Sequence, residues 1–343
     1  MFVIKKLNVL SLFDGMSCGQ IALERNGIGV ENYLASEIKS HAIKVTLDNY
    51  PGTIQLGDIT KITYDDGYLY IFNSREEMNT YFNESKGEPI ERIFVGEIDL
   101  VIGGSPCQNF SQICIPSKRL GLSGEKSKLF YEYLRLLNEV KPKYFLLENV
   151  SGMDDEDRKS IDNYLGVKSI RINSELVSAQ LRDRLYWTNI NITELPKDKN
   201  ILLKDILESG YSPRKKALCL LEGYSRPTKT PYRKMRRHAK ALNTLIFKDE
   251  QHYKDCMEFF NKHFKGLPAK EADKIANELD VSVFDGVRDL SQLEMERLQT
   301  VPEGYTKSVN RNEAASLLGD GWTVEVIAYI FSFLKEDLNK DNT

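Results

Sequence analysis

Residues 7–19 read LNVLSLFDGMSCG, an apolar, β-rich run that stops at Asp14-Gly15 and gives way to a glycine-containing turn that opens a helix. A strand followed by a glycine turn lets backbone approach a ligand closely. On its own the turn serves a nicotinamide or flavin dinucleotide, S-adenosylmethionine, or nothing but a tight reversal. It lacks the G-x-G-x-x-G spacing, which weighs against a dinucleotide.

Working outward, four more short runs share the same form. They are 32–37 (NYLASE), 53–58 (TIQLGD), 99–103 (DLVIG) and 143–148 (KYFLLE). Helical spacing lies between several of them, most clearly at 129–140 (LFYEYLRLLNEV). Strands alternating with helices predict an α/β fold, a doubly wound, mostly parallel sheet covered on both faces. Ligands of such a sheet sit beyond the carboxyl ends of the strands. Those ends carry Asp14, Glu37, Asp58, Pro106-Cys107 and Glu148. Residues 169–177 and 185–190 are expected to extend the sheet as an antiparallel pair. Residues 60–97, polar and aromatic, break the alternation and read as an insertion.

Composition is that of an ordinary globular chain: 343 residues, 41% hydrophobic, 28% charged, net charge −3. Disordered, fibrous and disulfide-scaffold classes are excluded. The five cysteines, at 18, 107, 114, 219 and 256, form no C-x-x-C pair, and with four histidines they give no structural zinc pattern. No membrane or export segment is expected: Lys5 and Lys6 break the first apolar stretch. The reading is a cytoplasmic chain without metal.

Charge divides the chain. Residues 190–287 hold 19 Lys/Arg against 14 Asp/Glu, and 225–240 (SRPTKTPYRKMRRHAK) holds seven Lys/Arg and no acid. The expected organisation is a catalytic domain over 1–189, a smaller basic domain over 190–287, and a return segment over 288–343. Its last helix, about 323–334, packs into the first domain, and the tail KEDLNKDNT is expected to fray.

Glu37 ends the second strand, where an acid accepts hydrogen bonds from ribose hydroxyls, close to the roughly 20-residue spacing of a nucleotide site. Asp58 would suit an adenine amino group. Cys107 sits in a Gly/Pro loop without apolar neighbours on either side, unlike the buried cysteines that behave as small hydrophobes. Glu148 can come near it. A carboxylate beside a thiol raises the thiol pKa, so Glu148 suits an acid or hydrogen-bond partner of a substrate better than a base for the thiol. Arg182 and Arg184 alternate on a strand-like segment and are expected to face one side.

In order after FDGMSCG, Pro106-Cys107-Gln108, Glu148-Asn149-Val150 and Gln180-Leu181-Arg182-Asp183-Arg184 resemble the DNA (cytosine-5) methyltransferases. Arg288-Asp289-Leu290, Glu296-Arg297-Leu298-Gln299, Pro302-Glu303-Gly304-Tyr305 and the run Leu318 to Ile327 are similar to the family's C-terminal blocks. The last is closer to the animal de novo enzymes than to the usual bacterial form. The likeness covers roughly 1–190 and 288–334.

The resemblance implies an S-adenosylmethionine-dependent methyltransferase fold with a basic target-recognition domain. Catalysis would fall to Cys107, adding to C6 of a flipped-out cytosine, to Glu148 at N3, and to Arg182, orienting the ring through its carbonyl oxygen, with Arg184 also in the catalytic set. S-adenosyl-L-methionine would be held by Phe13, Asp14, Gly15, Ser17, Cys18, Gly19, Glu37, Asp58, Ile59, Ser105 and Trp322. Phe13 would pack on the adenine, Gly15, Ser17 and Cys18 would line the methionine end, and Trp322 would help close the pocket. Double-stranded DNA would be contacted by Gln108, Arg226, Lys229, Arg233, Lys234, Arg236 and Arg237. A cognate restriction endonuclease as partner and a monomeric state are further expectations. The rival readings are a tRNA cytosine-5 methyltransferase, whose Cys-Phe-Thr tripeptide is absent, and an inactive regulatory DNA-binding relative.

Overall fold

The computed structural model describes residues 5–84, 86–106, 128–226, 228 and 230–340. These pack as two compact units. One comprises Met1–Asn173, Asp183–Pro196 and Val324–Thr343; the other comprises Ser174–Arg182 and Lys197–Thr323.

The first unit is built on β1 (Leu7–Leu12), α1 (Cys18–Arg25), β2 (Val30–Ser36), α2 (Ser40–Asn49) and β3 (Ile54–Gln55). There follow β4 (Ile62–Asp65), β5 (Tyr68–Ile71), α3 (Arg75–Glu84), β6 (Glu91–Phe94), β7 (Leu100–Gly104), α4 (Lys128–Val140), β8 (Tyr144–Val150), α5 (Asp155–Leu165), β9 (Ile170–Asn173) and β10 (Asp183–Thr188). Seven strands form one sheet in the order β3-β2-β1-β7-β8-β10-β9. The pairs β3–β2, β2–β1, β1–β7 and β7–β8 are parallel, and β10 runs antiparallel to both β8 and β9. The doubly wound reading holds. The order reverses on either side of β1, so the crevice for a ligand opens beyond the ends of β1 and β7.

The alternation of apolar residues explains the layers. Leu10 and Leu12 of β1, Leu34, Val101 and Leu147 share one core with Phe130, Tyr133 and Leu136 of α4 and Trp187 of β10. Gly103 must be glycine: a Cβ there would stand 2.9 Å from the Leu12 carbonyl oxygen and 3.0 Å from the Tyr133 ring.

Residues 60–97 form an insertion between β3 and β7, as read, though one that shares the core, while two later segments depart from the expected organisation. Residues 60–97 contribute Ile62, Leu69 and Val95 to the same core, and β4-β5-β6 form an antiparallel sheet of their own. The segment is tied to α4 by Glu139, which accepts from Thr63 Oγ1 at 2.9 Å and Tyr64 N at 3.1 Å. The expected strand at 169–177 stops at Asn173. Ser174 turns off into the second unit, where its hydroxyl bonds Thr323 Oγ1 at 2.9 Å. Residues 288–323, expected to return to the catalytic domain, belong to the second unit.

The second unit contains α6 (Leu203–Ile206), α7 (Pro231–Ala239), α8 (Glu250–His263), α9 (Ala269–Glu278), α10 (Gln292–Gln299) and α11 (Arg311–Asp320). Tyr232, Met235, Phe247, Cys256, Phe260, Phe264 and Phe284 form its aromatic core. The chain then re-enters the first unit as α12 (Val324–Lys340), which packs on α1. The helix runs on through Lys340, whose ammonium pairs with Asp337 at 3.2 Å, so most of the tail expected to fray is helical. No single helix among the described residues is long and apolar enough to cross a membrane.

Candidate active site

The turn after β1 is held from beneath. Phe13, Gly15 and Ser17 all adopt the left-handed conformation, with φ of 58°, 62° and 59°. That conformation costs nothing at Gly15 but is unfavourable for the other two. Asp14 stabilises it: its carboxylate accepts from Ser11 Oγ at 2.6 Å, from Tyr33 OH at 2.9 Å and from Ser17 Oγ. With both oxygens turned into the fold, Asp14 is an internal hub. The hydrogen bonds of its side chain are all internal, to β1, to the turn and to β2. Burial raises its pKa from 3.8 to about 6, against the opposing pull of those hydroxyls. Gly19, at the start of α1, lies so close to β7 that a Cβ would fall 2.3 Å from Ile102 Cδ1. The Cys18 thiol is likewise buried, leaving backbone as the only part of either residue to face a ligand.

Glu37 closes the other side. Its Oε2 accepts from Gly15 N at 2.8 Å, and Oε1 accepts from Ile38 N at 2.7 Å and Lys39 N at 2.8 Å. Oε2 thus retains acceptor capacity. The neighbouring Ile38 is 73% exposed, an apolar side chain at the sheet's ligand edge that sequence reading passed over. No sequence signal separates it from Ile59, which also follows a strand-end acid but enters the core. Asp58 caps the next turn through Thr60 N and Oγ1, both at 2.9 Å. Ile59 is buried in the core and so presents no side chain outward. Phe13 is half-buried against that core.

At the ends of β7 and β8, Gly104 lies opposite Glu148 in register. Asn149 Nδ2 donates to Ser105 Oγ at 3.1 Å and to Ser105 O at 3.3 Å, with Asn149 and Ser105 both buried. Asn149 therefore anchors the loop two residues before Cys107, a function the sequence reading left unassigned. Arg184 Nε donates to Glu148 Oε1 at 2.8 Å, both side chains close to nine-tenths buried. Cys107 and Gln108 lie outside the described residues, as does Lys229.

The two arginines expected to face one side part company. Arg184 is on β10, in the first unit. Arg182 precedes the strand and belongs to the second unit, where it is 3% exposed. Its guanidinium donates to the carbonyls of Leu220 at 2.8 Å, Gly319 at 3.1 Å and Gly321 at 2.8 Å. Strand periodicity fails because the chain leaves the sheet before Asp183.

A sequence model of the C-5 cytosine-specific DNA methylases matches residues 7–336. The chain belongs to this family. Among curated proteins it is 31% identical over 221 residues to the orphan methyltransferase M.SPRI of Bacillus phage SPR, an alignment of 60% of this chain and 43% of that protein. It is 25% identical to the type II methyltransferase M1.ScrFI of Lactococcus lactis subsp. cremoris, over 98% of this chain and 79% of that one. The chain thus spans less than half the length of the phage relative. Its fold is similar to that of the Entamoeba histolytica methyltransferase EhMeth, with a TM-score of 0.62, 16% identity and coverage of 97% and 99% of the two chains.

In this chain the basic run of the second unit is divided. Arg226 pairs with Glu222 at 2.7 Å, Arg233 with Asp273 at 2.9 Å and Lys234 with Asp289 at 2.9 Å. Arg236 and Arg237, on the same helix α7, make no ion pair among the described residues. Trp322 lies half-buried in the second unit. No group of three or more His, Cys, Asp or Glu side chains among the described residues could hold a metal ion.

Proposed function

We propose that this chain transfers the methyl group of S-adenosyl-L-methionine to C5 of a cytosine flipped out of double-stranded DNA, through a transient adduct of Cys107. The observation that supports it most is the buried Glu148–Arg184 pair, beside the Asn149-anchored loop that leads to Cys107. An acid and a guanidinium so held match the N3 and O2 edge of cytosine. Arg184 takes the ring-orienting role in this reading, because the guanidinium of Arg182 is occupied by three carbonyls.

The residues present fit the cofactor. Glu37 Oε2 can accept a ribose hydroxyl, Ile38 and Phe13 offer apolar surface to an adenine, and Asp58, capping the turn that follows β3, would suit its amino group. The left-handed turn Phe13–Ser17 and the N-terminus of α1 present backbone N–H groups suited to the methionine carboxylate. When bound, S-adenosylmethionine supplies an electrophilic methyl on a sulfonium.

The thiolate of Cys107 forms a bond to C6, and Glu148 shares or donates a proton at N3 so that the ring accepts the electron pair. C5, made nucleophilic by the addition at C6, would take the methyl that the bound sulfonium supplies. Loss of the C5 proton and elimination of Cys107 restore the ring. The similarity to type II and phage methyltransferases supports sequence-specific DNA modification; the type II relatives favour a cognate restriction endonuclease as partner, whereas the phage relative is an orphan enzyme. The test is tritiated methyl transfer to DNA and tRNA side by side, with bisulfite sequencing of the DNA product. Incorporation into DNA cytosine at one sequence is expected; incorporation into tRNA alone would refute the DNA assignment.

A further inference from the structure

The C-terminal end of α7 combines three features. The first is charge. Arg236, Arg237 and Lys240 make no ion pair among the described residues, whereas the other described basic residues of the 225–240 run are tied to Glu222, Asp273 and Asp289. No acid occurs in 225–240. Asp273 is within electrostatic reach of Arg236, but the three cations outnumber it, and a cationic end of this kind is suited to phosphates.

The second feature is the cap. Leu242 N donates to Arg237 O at 3.0 Å and Ala241 N to His238 O at 2.9 Å, the paired bonds of a Schellman motif. The cap thus occupies the carbonyls of Arg237 and His238, and the cations of the last turn offset the negative end of the helix dipole. The left-handed position is Ala241, with φ of 53°, where glycine would be easier.

The third feature is Leu242. In this cap the residue after the left-handed position usually packs an apolar side chain back on the third-last helical residue. That residue here is Arg237, which is exposed, and Leu242 itself is 53% exposed. A single exposed leucine is ordinary. Leu242 is instead fixed by a costly turn just after three cations and has no apolar partner at the usual position of this cap, so helix capping does not account for it.

We infer that the tip Arg236–Leu242 is a duplex DNA contact in which Arg236, Arg237 and Lys240 neutralise phosphates while Leu242 reads a base edge, its apolar side chain meeting a thymine 5-methyl group. The inference rests on the DNA reading above and deepens it. Phosphate contacts position the protein and carry no sequence information, whereas a methyl contact in the major groove does. The two kinds of residue are therefore separable by measurement.

The experiment starts from the methylated motif of the wild-type chain, found by bisulfite sequencing. Leu242→Ala should relax discrimination at one T·A pair of the motif by about 5- to 10-fold. S-adenosylmethionine affinity, thermal midpoint and the salt dependence of DNA binding should not change. Replacing thymine by deoxyuridine, one position at a time, should reproduce that loss with the wild-type protein and cause no further loss with Leu242→Ala. Replacing Arg236, Arg237 and Lys240 together with Gln should leave the motif intact but lower the log–log salt slope by about 0.9 for each lost phosphate contact. An unchanged motif and rate in Leu242→Ala, on DNA the wild type methylates, would overturn the base contact alone. An unchanged slope in the triple variant would overturn the phosphate contact. No methylation of DNA by the wild type would remove the DNA reading and this inference with it.

Discussion

Replacing Asp14 with Asn should make the stability of this protein less sensitive to pH. The carboxyl is enclosed by Ser11, Ser17 and Tyr33, and burial raises its pKa from 3.8 to about 6. A raised pKa means that the folded state holds a proton that the unfolded chain has released. The stabilising contribution is therefore full below about pH 3.8 and is lost as pH rises through about 6. Above that point the buried charge costs about 3 kcal/mol, from roughly two units at about 1.4 kcal/mol each. Asn is neutral throughout, keeps one acceptor oxygen for Tyr33 or Ser11, and can donate its amide to the Ser17 hydroxyl. Urea unfolding of both proteins at steps from about pH 4 to pH 8 should show the variant gaining on the wild type by about 3 kcal/mol, mostly between pH 4 and 6. A difference between the two proteins that stays flat across this range would refute the assignment of Asp14 as a buried, partly protonated hub.

Cys107→Ser should abolish methyl transfer while leaving S-adenosylmethionine binding intact by calorimetry, and the wild type should form a denaturation-resistant adduct with DNA containing 5-fluorocytosine. Arg184→Gln should lower kcat by about 100-fold with unchanged cofactor affinity, the scale of losing one donor to developing charge. Arg182→Met should act differently, lowering stability by about 3 kcal/mol or more because three buried carbonyls lose their donor at about 1 kcal/mol each; thermal melts and single-turnover rates distinguish the two. Glu37→Ala should weaken S-adenosylmethionine binding by about 1–3 kcal/mol, since Gly15 N loses its acceptor along with any ribose hydroxyl.

The parts of this fold that were legible in the sequence are those decided locally. Short apolar runs ending in Asp14, Glu37, Asp58 and Glu148 could be read as parallel strands with a ligand edge, because period and punctuation lie within ten residues. The site's finer assignments depend on partners far away in sequence. Arg182 and Arg184 differ by two positions, but carbonyls at Leu220, Gly319 and Gly321 engage the first and Glu148 the second. Asp14 reads as a ligand of the loop until Tyr33, from the next strand, is seen to reach it. The basic run looks uniform in sequence, yet Glu222, Asp273 and Asp289 pair with three of its cations. The excursion at Ser174 left no mark, since its hydrogen-bonding partner Thr323 is 149 positions away.

The packing of α12 on α1 has a consequence for how the protein is made. Arg25 Nη1 meets Glu325 Oε1 at 2.6 Å across a separation of 300 residues, and Asn26 Nδ2 reaches the Ala328 carbonyl across 302. Ile21, Ala22 and Leu23 of α1 are buried in the finished fold. During synthesis at roughly 5–20 residues per second, α1 leaves the ribosome about 15–60 s before the helix that packs on it. For that interval the first unit waits for α12 while the whole second unit is translated. Closing so long a loop is slow, and the apolar surface awaiting α12 is open to other chains meanwhile. Yield in the cell should therefore depend on translation rate and chaperone supply more steeply than equilibrium stability suggests, and slowing the ribosome between codons 190 and 323 should lower the soluble fraction.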